Sequence, residues 1–187
     1  MLECKIDDKE IIEKFCDFLD IRKSRITIGH NGMSAALSLS TQNFTTDLSI
    51  YGLVPNKSHQ ESVLPIEIKE NKVLLFQYLK GLVDGDGTIH TAYGSPGVSV
   101  LSNSKTLLEE LKHELEKYLP EPNSIWLMEK TKEQQKGKNA SQSLFILKIG
   151  TGMYKHSNIA YLYKAFYEDK KIILTRKEQL LKSLIIN

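Results

Sequence analysis

Phe76-Gln77-Tyr78-Leu79-Lys80-Gly81-Leu82-Val83-Asp84-Gly85-Asp86-Gly87-Thr88-Ile89 is the stretch that decides how the rest of this chain is read. Its front half predicts a helix, because Val73, Leu74, Leu75, Tyr78, Leu79 and Leu82 recur at spacings that keep one face apolar. The helix then stops at two acids set between glycines. A helix C-terminus carries the negative end of the macrodipole and favours Lys or Arg over carboxylates. Asp84 and Asp86 therefore call for a compensating cation. A divalent metal held by one or two carboxylates, with water and phosphate completing its shell, suits Mg²⁺. Gly81 and Gly85, one helical turn apart, leave a smooth strip where a second backbone can approach closely.

Taken alone, Asp84-Gly85-Asp86-Gly87 reads first as a glycine C-cap followed by a turn. The longer string reverses that reading. Leu79-Lys80-Gly81-Leu82-Val83-Asp84-Gly85-Asp86-Gly87 resembles the LAGLIDADG motif of homing endonucleases in register over all nine positions. It departs from the motif at Lys80, where a small residue is usual, and conservatively at Val83 and Gly85.

The 187 residues are enough to bury a core as one domain or as two small repeats. With 41% hydrophobic and 26% charged residues, the composition is that of a soluble globular protein. No stretch is long and apolar enough for a membrane, and the N-terminus has no signal-peptide pattern, so no membrane association is expected. The expected compartment is the cytoplasm, or another intracellular site for a phage- or organelle-encoded protein. Cys4 and Cys16 read as small buried hydrophobes in a reducing compartment, and no zinc set exists. The net charge is only +2, but it is uneven: residues 121–187 hold twelve Lys and Arg against six Asp and Glu. That basic half suits a phosphate-facing surface, and equally a solvated lysine-rich loop.

Along the chain, Leu2 to Ile6 reads as a strand and the acids at Asp7 and Asp8 introduce an amphipathic helix through Leu19. Residues 25–28 and 35–40 form a hairpin about Gly29-His30-Asn31-Gly32, and 43–50 reads as a helix. A proline-punctuated connector leads into the central helix, which sets the expected boundary between units 1–66 and 67–187. After it come strands at 88–93 and 98–101, a helix from Lys105 capped by Ser104, a hairpin at 125–128 and 144–149, and closing helices at 158–167 and 177–184. The halves repeat: Lys9, Ile11, Ile12, Glu13, Phe15 and Leu19 map onto Lys105, Leu107, Leu108, Glu109, Leu111 and Leu115 at a constant offset of 96. Lys57 faces Lys177 in the same comparison.

The resemblance implies an α+β fold of two α-β-β-α-β-β-α repeats whose curved antiparallel sheets straddle DNA, here with the first repeat incomplete. It implies a sequence-specific, Mg²⁺-dependent DNA endonuclease acting on double-stranded DNA. Asp86 would be the catalytic acid and metal ligand, with the Gly85 carbonyl nearby and Asp84 orienting the turn. Lys177, with Lys57 as its counterpart, would be the basic residue near the scissile phosphate. One motif gives one Asp86, so the resemblance also implies a homodimer in which Gly81, Gly85 and Asp84 form the helix interface. On the sheet face opposite the core, Thr88, His90 and Ser99 are candidate groove contacts, followed by Arg25, Thr27 and Lys148, while Lys130, Lys132, Lys136 and Lys138 would hold phosphate. A catalytically inactive nucleic-acid-binding protein, either a regulator or an RNA maturase, is the alternative on the same scaffold. No GxSxG, P-loop or HExxH string points to another chemistry.

Overall fold

Two hydrophobic patterns bury into two separate cores. The computed structural model describes residues 1–39, 46, 49, 62–90, 96–131, 143–150, 157–168 and 172–186. In the smaller unit, strands β1 (Leu2–Lys5), β2 (Ile26–Gly29) and β3 (Ser34–Leu37) form an antiparallel sheet in the order β1-β3-β2. Helix α1 (Lys9–Phe18) places Ile12 and Cys16 one turn apart, and they bury against Ala35 and Leu37.

The larger unit contains α2 (Ile66–Lys69), α3 (Lys72–Gly85), β4 (Thr88–His90), β5 (Gly97–Ser102), α4 (Lys105–Glu116), β6 (Ile125–Lys130), β7 (Leu144–Gly150), α5 (Ser157–Tyr167) and α6 (Thr175–Ile186). Its antiparallel sheet runs β4-β5-β7-β6. Alternation along the strands sends Ile89, Val98, Val100, Leu147 and Ile149 to the core, where Leu75, Phe76, Leu79 and Val83 of α3 join them. Side chains open two of these helices. Asn71 Oδ1 accepts from the amides of Val73 and Leu74 at 3.0 and 3.2 Å, and Ser104 Oγ accepts from Leu107 N at 3.3 Å.

Mixed helices and antiparallel sheets agree with the expected α+β class. α1 and α4 begin at Lys9 and Lys105, the pair of positions that the internal repeat aligned. The helix expected at 43–50, the connector around Lys57 and the lysines Lys132, Lys136 and Lys138 lie largely or wholly outside the described residues.

The central helix needs a correction. Val73 and Leu74, expected on its buried face, are exposed, because α3 is apolar on more than one side and only Leu75, Phe76, Leu79, Lys80 and Val83 are buried. Spacing identifies an apolar helix but cannot choose between two apolar sides.

Near the expected boundary, Leu64 is buried in the larger core and its amide donates to Glu110 Oε2 at 2.7 Å, so the chain joins that unit two residues ahead of α2.

The two units meet through charged groups. Thr175 N and Oγ1 donate to the Glu10 carboxylate at 2.8 and 2.9 Å, placing an acid at the positive end of α6. Lys14 Nζ reaches the Ile173 carbonyl at 2.7 Å, and Arg176 forks onto Asp8 at 3.2 and 2.9 Å. The Arg176 hydrogen bond holds the Asp8 carboxyl below its ordinary value. Burial pushes Glu10 up, but hydrogen bonds from Thr175 and Lys14 outweigh it and leave the carboxyl lowered.

Both acids bind protons more weakly folded than unfolded. Their stabilisation is complete above the ordinary values of 3.8 and 4.5 and is lost as the pH falls below them. Glu10→Gln should lower the thermal midpoint at pH 7, and the gap to the unsubstituted chain should close as the pH is brought below about 4. A gap of constant size across that range would remove Glu10 from the coupling of the units.

Candidate active site at the end of the motif helix

The residue that defines this site is Lys177, in the first turn of α6 and 5% exposed. Its ammonium donates to the carbonyl oxygens of Val83, Asp84 and Gly87, the latter two at 3.0 Å each. A lysine in the first turn of its own helix opposes that helix's dipole, but here the charge sits at the negative end of α3. Carbonyls that have no partner within the helix are thereby satisfied. Burial lowers the Lys177 pKa, and the Asp84 charge partly restores it.

The two acids of the motif have different surroundings. Asp84 turns inward: its side chain is 10% exposed and Oδ2 lies 3.4 Å from Lys80 Nζ, itself 8% exposed. Lys80 also donates to the Ile172 carbonyl and lies 5.9 Å from the centre of the Tyr167 ring. Burial raises the Asp84 pKa, opposed by Lys80 and then Lys177. Asp84 Oδ1 and the Tyr167 hydroxyl are buried with no hydrogen-bond partner among the described residues, and burial followed by the Asp84 charge raises the Tyr167 pKa. Asp86, the C-cap of α3, is exposed.

Asp84 thus has a compensating cation in Lys80, its i,i+4 partner. Lys80 appears in the sequence as the departure from the motif, and its spacing to Asp84 is the signal that identifies the pair. The final glycine of the motif is required by close approach: a Cβ on Gly87 would sit 2.5 Å from Val83 Cα and 3.0 Å from Ser99 O. Gly81 and Gly85 are exposed, and a Cβ on either would meet nothing within 4 Å. Together with exposed Leu74 they leave one strip of α3 uncovered, while the Asp84 side chain points away from solvent.

Among the described residues no group of three His, Cys, Asp or Glu is gathered for an ion. The turn presents the Asp86 carboxylate, with the Gly85 carbonyl beside it in sequence and outside the set that Lys177 occupies. One carboxylate, with water and phosphate completing the shell, is within what a Mg²⁺ ion uses.

The candidate groove residues fall into two groups. Thr88, Ser99, Lys148 and Trp126 stand in one cross-strand row on the sheet face away from the core, with His90 in the next row opposite Gly97. Ser99 shares that face but is buried between its neighbours. His90 is partly buried, and burial followed by Lys148 lowers its pKa. Arg25 and Thr27 belong to the smaller unit, where Thr27 Oγ1 donates to the Ala36 carbonyl at 3.3 Å. Lys130 ends β6 with outward parity. The sequence does not mark Trp126 as outward-facing, because Ile125-Trp126-Leu127-Met128 is an unbroken apolar run in which alternation cannot be seen. The groove lined by Lys72, Phe76, Tyr161 and Lys164 lies at the other end of α3 from Asp86.

Lys80→Ala leaves Asp84 buried and unpaired and should destabilise the chain by roughly 3–5 kcal/mol. Adding Asp84→Asn should recover part of that loss, so that urea denaturation of both single variants and the double variant shows strong coupling. Additive effects would separate the two residues.

No curated protein matches the chain. Residues 74–121 match the family model of the LAGLIDADG-like domain, a segment that begins in α3 and spans the motif, β4, β5 and α4. No helix among the described residues is long and apolar enough to cross a membrane. Over residues 74–121 the chain is thus similar to the LAGLIDADG-like domain, a match that supports the LAGLIDADG family for that segment.

Proposed function

We propose that this chain is a metal-dependent, sequence-specific DNA endonuclease of the homing type, acting on double-stranded DNA as a homodimer. The observation that carries the reading is the exposed carboxylate of Asp86 at the end of a helix whose Gly81 and Gly85 strip is open. Two copies packed along that strip bring two Asp86 side chains together, one for each strand. Asp86, with the Gly85 carbonyl, would hold Mg²⁺. The bound ion supplies Lewis-acid stabilisation of the phosphate and an acidified water.

The remaining residues serve position and binding. Lys177 fixes the turn that carries Asp86 through its three carbonyl contacts, and in this reading its positive charge helps to offset the negative charge that grows on the phosphate. Lys57, the counterpart of Lys177 in the first unit, residues 1–66, a partial repeat of 67–187, supplies a second basic group toward phosphate. Thr88, His90 and Lys148, with Arg25 and Thr27, face the groove, while buried Ser99 only supports that face. Lys130, Lys132, Lys136 and Lys138 contact phosphate, which makes binding salt-dependent.

A second reading, a catalytically inactive nucleic-acid-binding protein on the same scaffold, is favoured by one observation. Asp84 is committed to Lys80, so each chain presents a single acid at the helix end.

Incubation with Mg²⁺ and a pool of duplexes should give discrete cleavage that Asp86→Asn abolishes. Because Asp86 is exposed, that variant should keep its stability within about 0.5 kcal/mol. Cleavage that survives the substitution would remove Asp86 from the chemistry, and salt-sensitive binding without scission under any divalent ion would favour the second reading.

The helix strip is tested separately. Gly81→Ala should stabilise the folded subunit by about 0.5–1 kcal/mol through helix propensity, since nothing obstructs a Cβ there. Gly81→Leu should leave the subunit folded and shift gel filtration from dimer to monomer. A dimer that tolerates leucine would place the contact elsewhere.

A further inference from the structure

The outward face of the larger sheet carries an apolar row that neither core claims. Leu101 on β5, Ile146 on β7 and Met128 on β6 are direct cross-strand partners. Trp126 stands in the adjacent row beside Lys148. Trp126 is 49% exposed and Met128 46% exposed. A solvated sheet face is normally polar, and a contiguous apolar patch marks a binding surface.

The indole is held in place. A Cβ on Gly150 would lie 2.7 Å from Trp126 Cζ3, so the ring lies against a strand that only glycine leaves low enough. The His90 ring covers Gly97 in the same way, and Gly97 and Gly150 are partners across the two central strands. Trp126 therefore presents apolar area at little cost in side-chain entropy.

Charge narrows the occupant. Among the described residues, the outward positions of β4 to β7 include Lys148 and Lys130 and no carboxylate. A surface with an apolar centre, lysines and no acid complements a polyanion that offers small apolar groups. In duplex DNA the apolar group on the major-groove edge is the C5-methyl of thymine. Dimensions agree: three adjacent strands span about 10 Å, close to the height of three stacked base pairs and within the groove's width of about 12 Å.

We propose that Leu101, Ile146, Met128 and Trp126 form a reader of thymine methyl groups, so that the preferred duplex carries thymines where this row enters the major groove. The inference rests on the DNA-binding reading above. It adds a base preference and the residues that impose it.

The test uses the full chain in a metal-chelating buffer, so that binding is measured without cleavage. A duplex selected from a random pool is remade with deoxyuridine in place of thymidine, which removes the methyl groups alone. Each contacted methyl should contribute about fourfold in affinity. Met128→Ser and Trp126→Ser, checked for folding by circular dichroism, should shrink the difference between the two duplexes. Lys148→Ala should weaken both duplexes alike and flatten the salt dependence. Equal affinity for the thymidine and deoxyuridine duplexes would overturn the methyl reader while leaving DNA binding intact. If no duplex is bound above the level of random DNA, the sequence-specific reading fails and the methyl reader fails with it.

Discussion

The structure depends on one ammonium group placed against the end of one helix. α3 ends in carbonyls that have no partner of their own, next to two acids, and Lys177 supplies the charge and the three donors that this end lacks. The contact joins α6 to the motif helix and to the strand that leaves it, because Gly87 belongs to the turn before β4. Without it, the exposed acid at the turn would hang from an uncapped helix end.

Polar contacts extend in both directions from that point. On one side Lys80 joins Asp84 to the carbonyl of Ile172, just upstream of α6. On the other, Asp8, Glu10 and Lys14 of the smaller unit fix the residues around Thr175, so the first turn of α6 is gripped from two directions. Such buried or half-buried charges add little net stability when compared with hydrophobic packing. What they add here is position, since each donor fits a particular carbonyl or carboxylate.

Much of this was legible in the residues. The nine-position string locates the helix, its glycines and its acids, and period-two alternation alone places Thr88, His90 and Ser99 on one face. The partners of Lys177 were not legible, because they lie some ninety residues upstream and are backbone atoms, which leave no trace in side-chain pattern. Lys80 and Asp84 stand at helix-neighbour spacing, but spacing alone does not say whether a lysine or a metal balances the acid. The burial of Ser99 also escaped, since it follows from neighbouring strands rather than from its own alternation.

The chain contains a single tryptophan, and the fold puts it on the sheet face turned from the core, half in solvent and laid across Gly150. Indole emission from this protein is therefore a one-position signal. Its wavelength and quenching report the water content and occupancy of that face alone, so an optical titration can follow whatever settles there without a label or an added fluorophore.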